Sequence, residues 1–365
     1  MSWIGLTDLT KGLFNPAGLG AKPQHTNVQV AAPNEILPTG TLVVETLFRP
    51  ETDGSQAVLH YERSKDWHRH LSVELRKSGE MQVRMVQGQS RFIARLKFPV
   101  PERDAAIRLY FSWNAPERWG RLAVKLVDTG EFFVIKVGNP LPMPMLDALT
   151  IMRNGHSTRI SAEAAFVAVS DKVEPVGLSA GICKGSRIET PSGSVRVENL
   201  RLGDRVLTAT SGIQPVRWIT RRTVPALGRF RPIRIRAPFF GLSEDMLVAP
   251  DHRILVEGSE TEYLLGEQDA LLPAQRLMGS RAAVSEARLK TVTYYHVLLD
   301  RHDCLLHDSL WSESLYVGQI ATDPVRLDAT ALAEMPRSAI PTHRSFARHR
   351  LSDHEARSLA SVLHR

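Results

Sequence analysis

The chain has 365 residues, of which 43% are hydrophobic and 23% charged. This balance excludes a disordered, collagen-like or coiled-coil protein, and the length predicts two domains, each with its own core. The formal net charge is +7, but the basic residues are scattered and many alternate with apolar ones, as on the solvated face of a strand. We therefore expect no nucleic-acid partner.

Residues 1–36 are rich in Gly, Pro, Asn and Thr and show no sustained period, which predicts an irregular leader. The start of the chain lacks the basic and apolar regions of a Sec signal peptide, and no stretch reaches the ~18 apolar residues of a spanning helix. We therefore expect no transmembrane segment, and a protein that is cytoplasmic or exported by a signal-independent route.

Residues 37–175 contain short runs of alternating apolar and polar residues, separated by turn-forming pairs such as Ser78-Gly79 and Gln87-Gly88. No helical period intervenes, which predicts an antiparallel, jelly-roll-like β-sandwich. Leu109–Trp113 and Trp119–Val124 resemble the paired central strands of concanavalin-like and laminin-G-like sandwiches. The resemblance implies a glycan or protein ligand, although alternating aromatic residues are more typical of a core.

His68 and His70 form a His-x-His pair that could lie on one face of a strand and chelate a metal ion. The sequence identifies no third ligand, so we interpret the two as a solvated pair beside Trp67. No cofactor and no metal site is predicted.

Residues 176–182 follow Pro175, contain two glycines and several small residues, and are predicted to be a linker. The linker ends at Cys183, one of only two cysteines, the other being Cys304. Two cysteines cannot form a disulfide framework or a zinc cluster. Most lone cysteines are inert core residues, but a thiol between Gly181 and Gly185, at a domain boundary, could act as a nucleophile with a nearby histidine as base.

Residues 183–322 are predicted to form a second all-β domain from short strands and Gly-containing turns. Six segments within it resemble, in order, those of bacterial Hint (hedgehog/intein-type) domains. They are Gly181–Thr190 (GICKGSRIET), Val197–Thr208 (VENLRLGDRVLT), Gly212–Ile219 (GIQPVRWI), Ala249–Val256 (APDHRILV), Tyr294–His302 (YYHVLLDRH) and Glu313–Gly318 (ESLYVG). The resemblance implies a horseshoe-like β fold whose first residue is the nucleophile.

The resemblance further implies that Cys183 attacks the carbonyl carbon of Ile182, which converts the peptide bond into a thioester. His252, in the Ala-Pro-Asp-His stretch, matches the family histidine that protonates the departing nitrogen. Water, a thiol or another nucleophile would then take the acyl group and release the N-terminal domain. Full splicing is not expected because Glu313-Ser314 stands near the place of the terminal His-Asn pair. Nothing in the sequence resembles the sterol-recognition region of hedgehog proteins, so cholesterol transfer is not expected either.

Four further positions bear on this hypothesis. Ala249 occupies a position that is usually Thr or Ser in active Hint domains, which predicts slow cleavage or an inactive domain. His296 stands roughly where inteins often carry an aspartate, and His302 matches a histidine of the same segment; each is equally well interpreted as a hydrogen-bonded strand histidine. Cys304 could receive the acyl group or pair with Cys183, but a small buried hydrophobe is the favoured interpretation.

Residues 323–365 form a tail that ends in a capping box, Ser352–Glu355, ahead of apolar residues at helical spacing. The sequence predicts a short amphipathic helix there, able to dock on the preceding domain.

Two functions therefore compete. The first is single-turnover self-processing, with the chain's own N-terminal domain as substrate. The second is a glycan- or protein-binding sandwich fused to a catalytically inactive Hint-like domain. A conventional cysteine hydrolase is disfavoured because its nucleophile would normally lie within a folded domain rather than at its first residue.

Overall fold

The structure is a computed structural model that describes residues 3–20, 35–51, 54–178 and 180–363. The chain divides into two compact units, Met1–Gly177 and Leu178–Arg365. None of the helices in these described ranges is long and apolar enough to cross a membrane.

The first unit is built from antiparallel strands and one helix. Its elements are β1 (Trp3–Thr7), β2 (Gly12–Phe14), β3 (Ile36–Leu37), β4 (Thr39–Phe48), β5 (Ser55–Arg63), β6 (Arg69–Arg76), β7 (Glu80–Gln87), β8 (Ser90–Lys97), β9 (Ala105–Asn114), β10 (Trp119–Leu126), β11 (Phe132–Gly138), β12 (Met143–Pro144), α1 (Met145–Met152), β13 (Thr158–Ile160) and β14 (Ala164–Ser170). One sheet has the order β11-β10-β9-β4-β14-β1-β2, a second has the order β13-β5-β6-β7-β8, and β12 pairs with β3.

One apolar core contains side chains from both of the larger sheets, as in a sandwich. The predicted pairing of Leu109–Trp113 with Trp119–Val124 is present between β9 and β10. Phe111 is 1% exposed and Trp113 0% exposed. These aromatic side chains are therefore part of the core, as the sequence favours, and are not a platform for sugar.

The predicted irregular leader is wrong for residues 3–20. Strand β1 pairs with β14 on one side and β2 on the other, and Trp3, Ile4 and Leu6 are buried. All five residues of β1 are buried, so the strand shows no alternation of apolar and polar residues, and a Cβ added at Gly5 would lie 2.6 Å from Cγ of Met152. A glycine was needed for close packing, and it removed the apolar signal of a strand. Residues 21–34 lie outside the described ranges.

The second unit has thirteen strands and three α-helices among its described residues. They are β15 (Ile182–Cys183), β16 (Arg187–Thr190), β17 (Gly193–Arg196), β18 (Arg205–Thr208), β19 (Gly212–Pro225), β20 (Ile233–Ile235), β21 (Met246–Val248), β22 (Arg253–Glu257), α2 (Ser259–Leu265), β23 (Asp269–Pro273), β24 (Ala283–Ser285), β25 (Thr291–Leu299), β26 (Cys304–His307), β27 (Leu310–Glu313), α3 (Pro324–Ala329) and α4 (Asp353–Leu363).

Eleven of these strands form one antiparallel sheet in the order β23-β22-β27-β26-β18-β19-β25-β15-β21-β20-β24. The sheet curls into a half-barrel. Strand β19 spans the curl, because its first residues pair with β18 and its later residues pair with β25, with an irregularity between Val216 and Trp218. Bulges of this kind bend a strand and increase its twist. The all-β prediction, a sandwich followed by a curved Hint-type fold and a short terminal helix, is confirmed.

The terminal helix begins at the predicted capping box. The Ser352 amide donates to Oε2 of Glu355 at 2.8 Å, and the Glu355 amide donates to Oγ of Ser352 at 3.3 Å. Ala356 and Leu359 belong to the core of the second unit. The tail is therefore an integral part of this unit rather than a loose appendage.

Candidate active site

The Ile182–Cys183 bond lies within a sheet, on β15. Ile182 is in register with Val248 of β21 on one side and with Tyr295 of β25 on the other. Residue 182, assigned to the linker from sequence, is thus a paired strand residue. Short strands that begin a domain give little sequence signal, since their pairing is with distant segments.

The residues on both sides of this bond are hydrogen-bonded too. The Ala249 amide donates to the Gly181 carbonyl at 2.8 Å, and the Lys184 amide donates to the Thr293 carbonyl at 3.2 Å. The Ala249 amide is therefore engaged with the residue before Ile182. Backbone contacts fix the peptide on either side of Ile182–Cys183.

The Cys183 thiol is 3% exposed. Burial raises its pKa, and burial is the only cause of the shift. No cation among the described residues lowers the pKa of this thiol, whereas nearby cations lower the pKa of thiols that are ionised at neutral pH. A base must therefore remove the proton if Cys183 is to act as a nucleophile.

His252 follows the turn at Ala249 and is 2% exposed. Its backbone amide donates to the Ala249 carbonyl at 3.0 Å, and its Nε2 lies 2.9 Å from Oγ of Ser312. Nδ1 of His252 is buried and has no hydrogen-bond partner among the described residues. A buried polar atom without a partner costs free energy, so its presence calls for an explanation.

A chain of hydrogen bonds extends from His252 toward β16. Oγ of Ser312 lies 2.8 Å from Nε2 of His307, and Nδ1 of His307 lies 2.7 Å from the carbonyl oxygen of Arg187. Burial lowers the pKa of His307 to about 4. The pKa of His252 is also lowered well below its ordinary value, first by burial and then by the neighbouring His307 and His296. Both rings are therefore neutral at pH 7.

The donor and acceptor in each of these hydrogen bonds determine which nitrogen carries the proton on each neutral ring. A carbonyl oxygen only accepts, so Nδ1 of His307 carries the proton and Nε2 accepts from the Ser312 hydroxyl. Oγ of Ser312 then accepts from Nε2 of His252. Nδ1 of His252 is left as an unprotonated nitrogen with a free lone pair.

A pocket of about 10 Å³, the space of a single water molecule, is lined by His252 and by Ile182 together. The other residues that line it include Gly181, His296, Glu313 and Ser314. The structure therefore brings His252 and His296, two of the predicted site histidines, to one pocket beside the residue that precedes Cys183.

His296, on β25, is 4% exposed. A Cβ added to Gly181 would lie 3.0 Å from Cε1 of His296. This close approach explains why glycine occupies position 181, two residues before the cysteine. His296 also contributes to the lowered pKa of His252, as a nearby imidazole that opposes a second positive charge.

His302 does not line this pocket. Its Nδ1 accepts a hydrogen bond from the Ala347 amide at 3.0 Å, and its ring packs edge-on against Tyr316 and Phe346. Burial lowers its pKa to about 3. Its Nε2 lies 4.0 Å from Oε2 of Glu313, which does line the pocket. His302 therefore holds the tail against the domain and contacts the pocket through its neighbours Glu313 and Ser314.

Cys304 is 0% exposed and packs with Leu255 and Leu271 in a separate small cluster. It and Cys183 are both free thiols. Burial raises the pKa of Cys304 too. These contacts favour the interpretation of Cys304 as a small buried hydrophobe.

The sequence did not reveal the roles of Ser312 and Glu313. Ser312 connects two histidines that are far from it in sequence, and no local pattern marks it. Glu313 is buried and accepts hydrogen bonds from the amide and guanidinium of Arg253, next to His252. Burial raises the pKa of Glu313, although Arg253 opposes this shift. In the sequence, the only signal was an acidic residue directly after a serine, and its burial was not visible there.

Residues 180–319 match the Hint domain family model. A search of curated proteins finds no match. Among solved structures, a sialidase CBM40 domain of Ruminococcus gnavus bound to α2,6-sialyllactose is 10% identical, covers 37% of this chain and 77% of its own length, and has a TM-score of 0.26.

The LG1-3 region of the laminin α2 chain is also 10% identical, covers 87% of this chain and 57% of its own length, and has a TM-score of 0.26. Similarities at this level do not bear on ligands. The pocket that Ile182 and His252 line lies within the residues matched by the family model. Residues 180–319 are therefore the part of this chain that resembles a Hint domain.

Proposed function

We propose that the second unit cleaves its own chain before Cys183 through an N-to-S acyl shift. The observation that supports this most directly is the free lone pair on Nδ1 of His252, in a pocket shared with Ile182. A buried thiol with a raised pKa needs a base, and this nitrogen is available as one. The orphaned polar atom is then explained by its use in the reaction.

In the first step, the Cys183 thiol transfers its proton to Nδ1 of His252, and Sγ attacks the carbonyl carbon of Ile182. His252 becomes an imidazolium, which its buried setting disfavours. It therefore readily passes the same proton to the backbone nitrogen of Cys183. The carbon–nitrogen bond then breaks, which leaves a thioester between Ile182 and Sγ and a free α-amino group on Cys183.

Water or a thiol then attacks the thioester. Hydrolysis releases residues 1–182 with a new carboxylate and residues 183–365 with an N-terminal cysteine. A thiol such as dithiothreitol accelerates this release because thioesters exchange readily with thiols. The N-terminal unit is in this sense the substrate.

Two features predict that the reaction is slow. Ala249 cannot supply the hydroxyl that its position carries in active Hint domains, and a lost transition-state hydrogen bond costs about 2–4 kcal/mol, or about 10²- to 10³-fold in rate. The raised pKa of the Cys183 thiol also keeps the thiolate scarce. These features favour the alternative function, a ligand-binding sandwich beside an inactive Hint domain, whereas the neutral His252 with its free lone pair favours cleavage.

The test is intact-mass spectrometry of the purified chain, with and without dithiothreitol. Mass is needed because the two products, residues 1–182 and 183–365, are nearly equal in length. We expect thiol to accelerate the appearance of a fragment that ends at Ile182. Cys183→Ala and His252→Ala should abolish it.

Cys304→Ala is the matched control, since it removes the other buried thiol and should leave cleavage unchanged. A chain that stays whole in all conditions, and is not activated by Ala249→Thr, would establish the inactive alternative. The sandwich would then be screened for glycan and protein ligands.

A further inference from the structure

A second group of histidines lies on the sandwich, in strands β5 and β6. Glu62 is in register with His70, and His60 is in register with Ser72. Residues two apart in a strand share a face, so His60, Glu62 and His70 all lie on the face opposite to the buried Leu59, Tyr61 and Leu71 of the core. Strand pairing therefore adds two potential ligands to the His-x-His pair seen in sequence.

The distances within this cluster suit a metal ion. One potential ligand atom from each of His60, Glu62 and His70 lies within 4.8 Å of the other two. Nε2 of His60 is 3.6 Å from Oε2 of Glu62, and the rings of His60 and His70 have centroids 5.0 Å apart. Nε2 of His68 is 3.1 Å from the other oxygen of Glu62.

We propose that this cluster binds a divalent transition-metal ion, with Zn²⁺ as the best-matched probe. Two imidazoles and one carboxylate are a donor set that Zn²⁺ and related ions prefer. His68 is a fourth ligand, available when it exchanges its hydrogen bond with Glu62 for the ion. The proposal concerns the first unit and does not depend on the self-cleavage proposed above.

The cluster is open to solvent and attached to rigid backbone. The side chains of His60, Glu62 and His68 are 37%, 53% and 47% exposed, so an ion can enter without unfolding. His60 and Glu62 lie in β5 and His70 lies in β6, between two further strands of the sheet. Nε2 of His70 lies 3.2 Å from Oγ of Ser72, a hydrogen bond that His70 would exchange for the ion if it bound through this nitrogen.

A carboxylate and a guanidinium both lie near the proposed site. The carboxylate of Glu62 attracts a metal ion. Arg84, opposite Ser72 on β7, carries a positive charge that opposes a bound cation.

The experiment is isothermal titration of the full, chelator-treated chain with Zn²⁺, supported by visible absorption after loading with Co²⁺. We expect about one equivalent to bind. Glu62→Gln should weaken binding at least about tenfold, as even removal of indirect support for a ligand does, and the double variant His60→Ala/His70→Ala should abolish it. Arg84→Gln should tighten binding about two- to fivefold by removing a nearby positive charge.

His156→Ala removes an exposed histidine of the same unit and should leave the titration unchanged. Circular dichroism confirms that each variant is folded. Absence of binding to the parent chain overturns the proposal. Equal binding by the parent, Glu62→Gln and the double variant also overturns it, since the ion would then lie elsewhere.

Discussion

The chain carries two histidine groups in opposite settings. In the Hint domain, His252 and His307 are 2% exposed each, neutral, and joined through Ser312 into a hydrogen-bonded chain with one free nitrogen. On the sandwich, His60 and His70 are partly exposed and surround a carboxylate. Burial and a fixed proton direction suit a histidine to proton transfer, whereas exposure beside a carboxylate suits it to metal binding.

The first prediction has the largest expected effect and concerns the rate of cleavage by the Hint domain. Ala249→Thr should accelerate cleavage before Cys183 by up to about 10²- to 10³-fold, because it restores a hydroxyl at a position 1% exposed beside the bond. The measurement is the rate of fragment formation by intact mass. Ala249→Val is the matched control, with the same shape but no hydroxyl, and an equal acceleration by valine would refute the hydrogen-bond explanation.

A second prediction concerns the stability of the Hint domain at low pH. The pKa of His307 is lowered to about 4, so below about pH 6.5 the unfolded chain takes up a proton that the native chain does not. The free energy of unfolding of the Hint domain should therefore fall as pH falls from about 6.5 toward 4. At about 1.4 kcal/mol per pKa unit, His307 alone accounts for roughly 3 kcal/mol.

This loss is measured by denaturant unfolding at a series of pH values. His307→Gln should reduce the slope of stability against pH, whereas His156→Gln, at an exposed position, should not. If the slope of His307→Gln equals that of the parent chain, His307 is not the buried neutral group that the structure describes.

The third prediction has the smallest expected effect and concerns the hydrogen bonds that Ser312 makes with His252 and His307. Ser312→Ala should slow cleavage about 10- to 100-fold and shift its pH profile, because His252 is no longer held with its Nδ1 unprotonated. Ser312→Thr, which keeps the hydroxyl, should restore much of the rate. Ser194→Ala, at an exposed serine of β17, is the control. All of these variants are made in the Ala249→Thr chain, so that the starting rate of cleavage is measurable.

An unchanged pH profile in Ser312→Ala would show that Ser312 supports only packing. The distinction matters because a purely structural role alters stability without altering which protonation state of His252 is active.

Local sequence was enough for several features. Turn residues between alternating runs predicted two β domains, the Ser352–Glu355 capping box predicted α4, and the ordered segments predicted a Hint domain at the position that the family model matches. The same segments identified His252, which the structure places beside Ile182. Such features depend on residues that are close in sequence or on motifs of fixed order.

Other features depended on pairing between distant strands. Strand β1 was missed because Gly5 accommodates Met152, and the part played by Ser312 followed from the placement of β27 next to β22. His60 and Glu62 could be identified as potential metal ligands only from the register between β5 and β6. The sequence alone determined the β class and the two-domain order, since both depend on local patterns, and it predicted the pair of Cys183 and His252. Only the tertiary structure decided which nitrogen of His252 is free and which side chains surround Glu62, because strand register brings together residues that no local pattern connects.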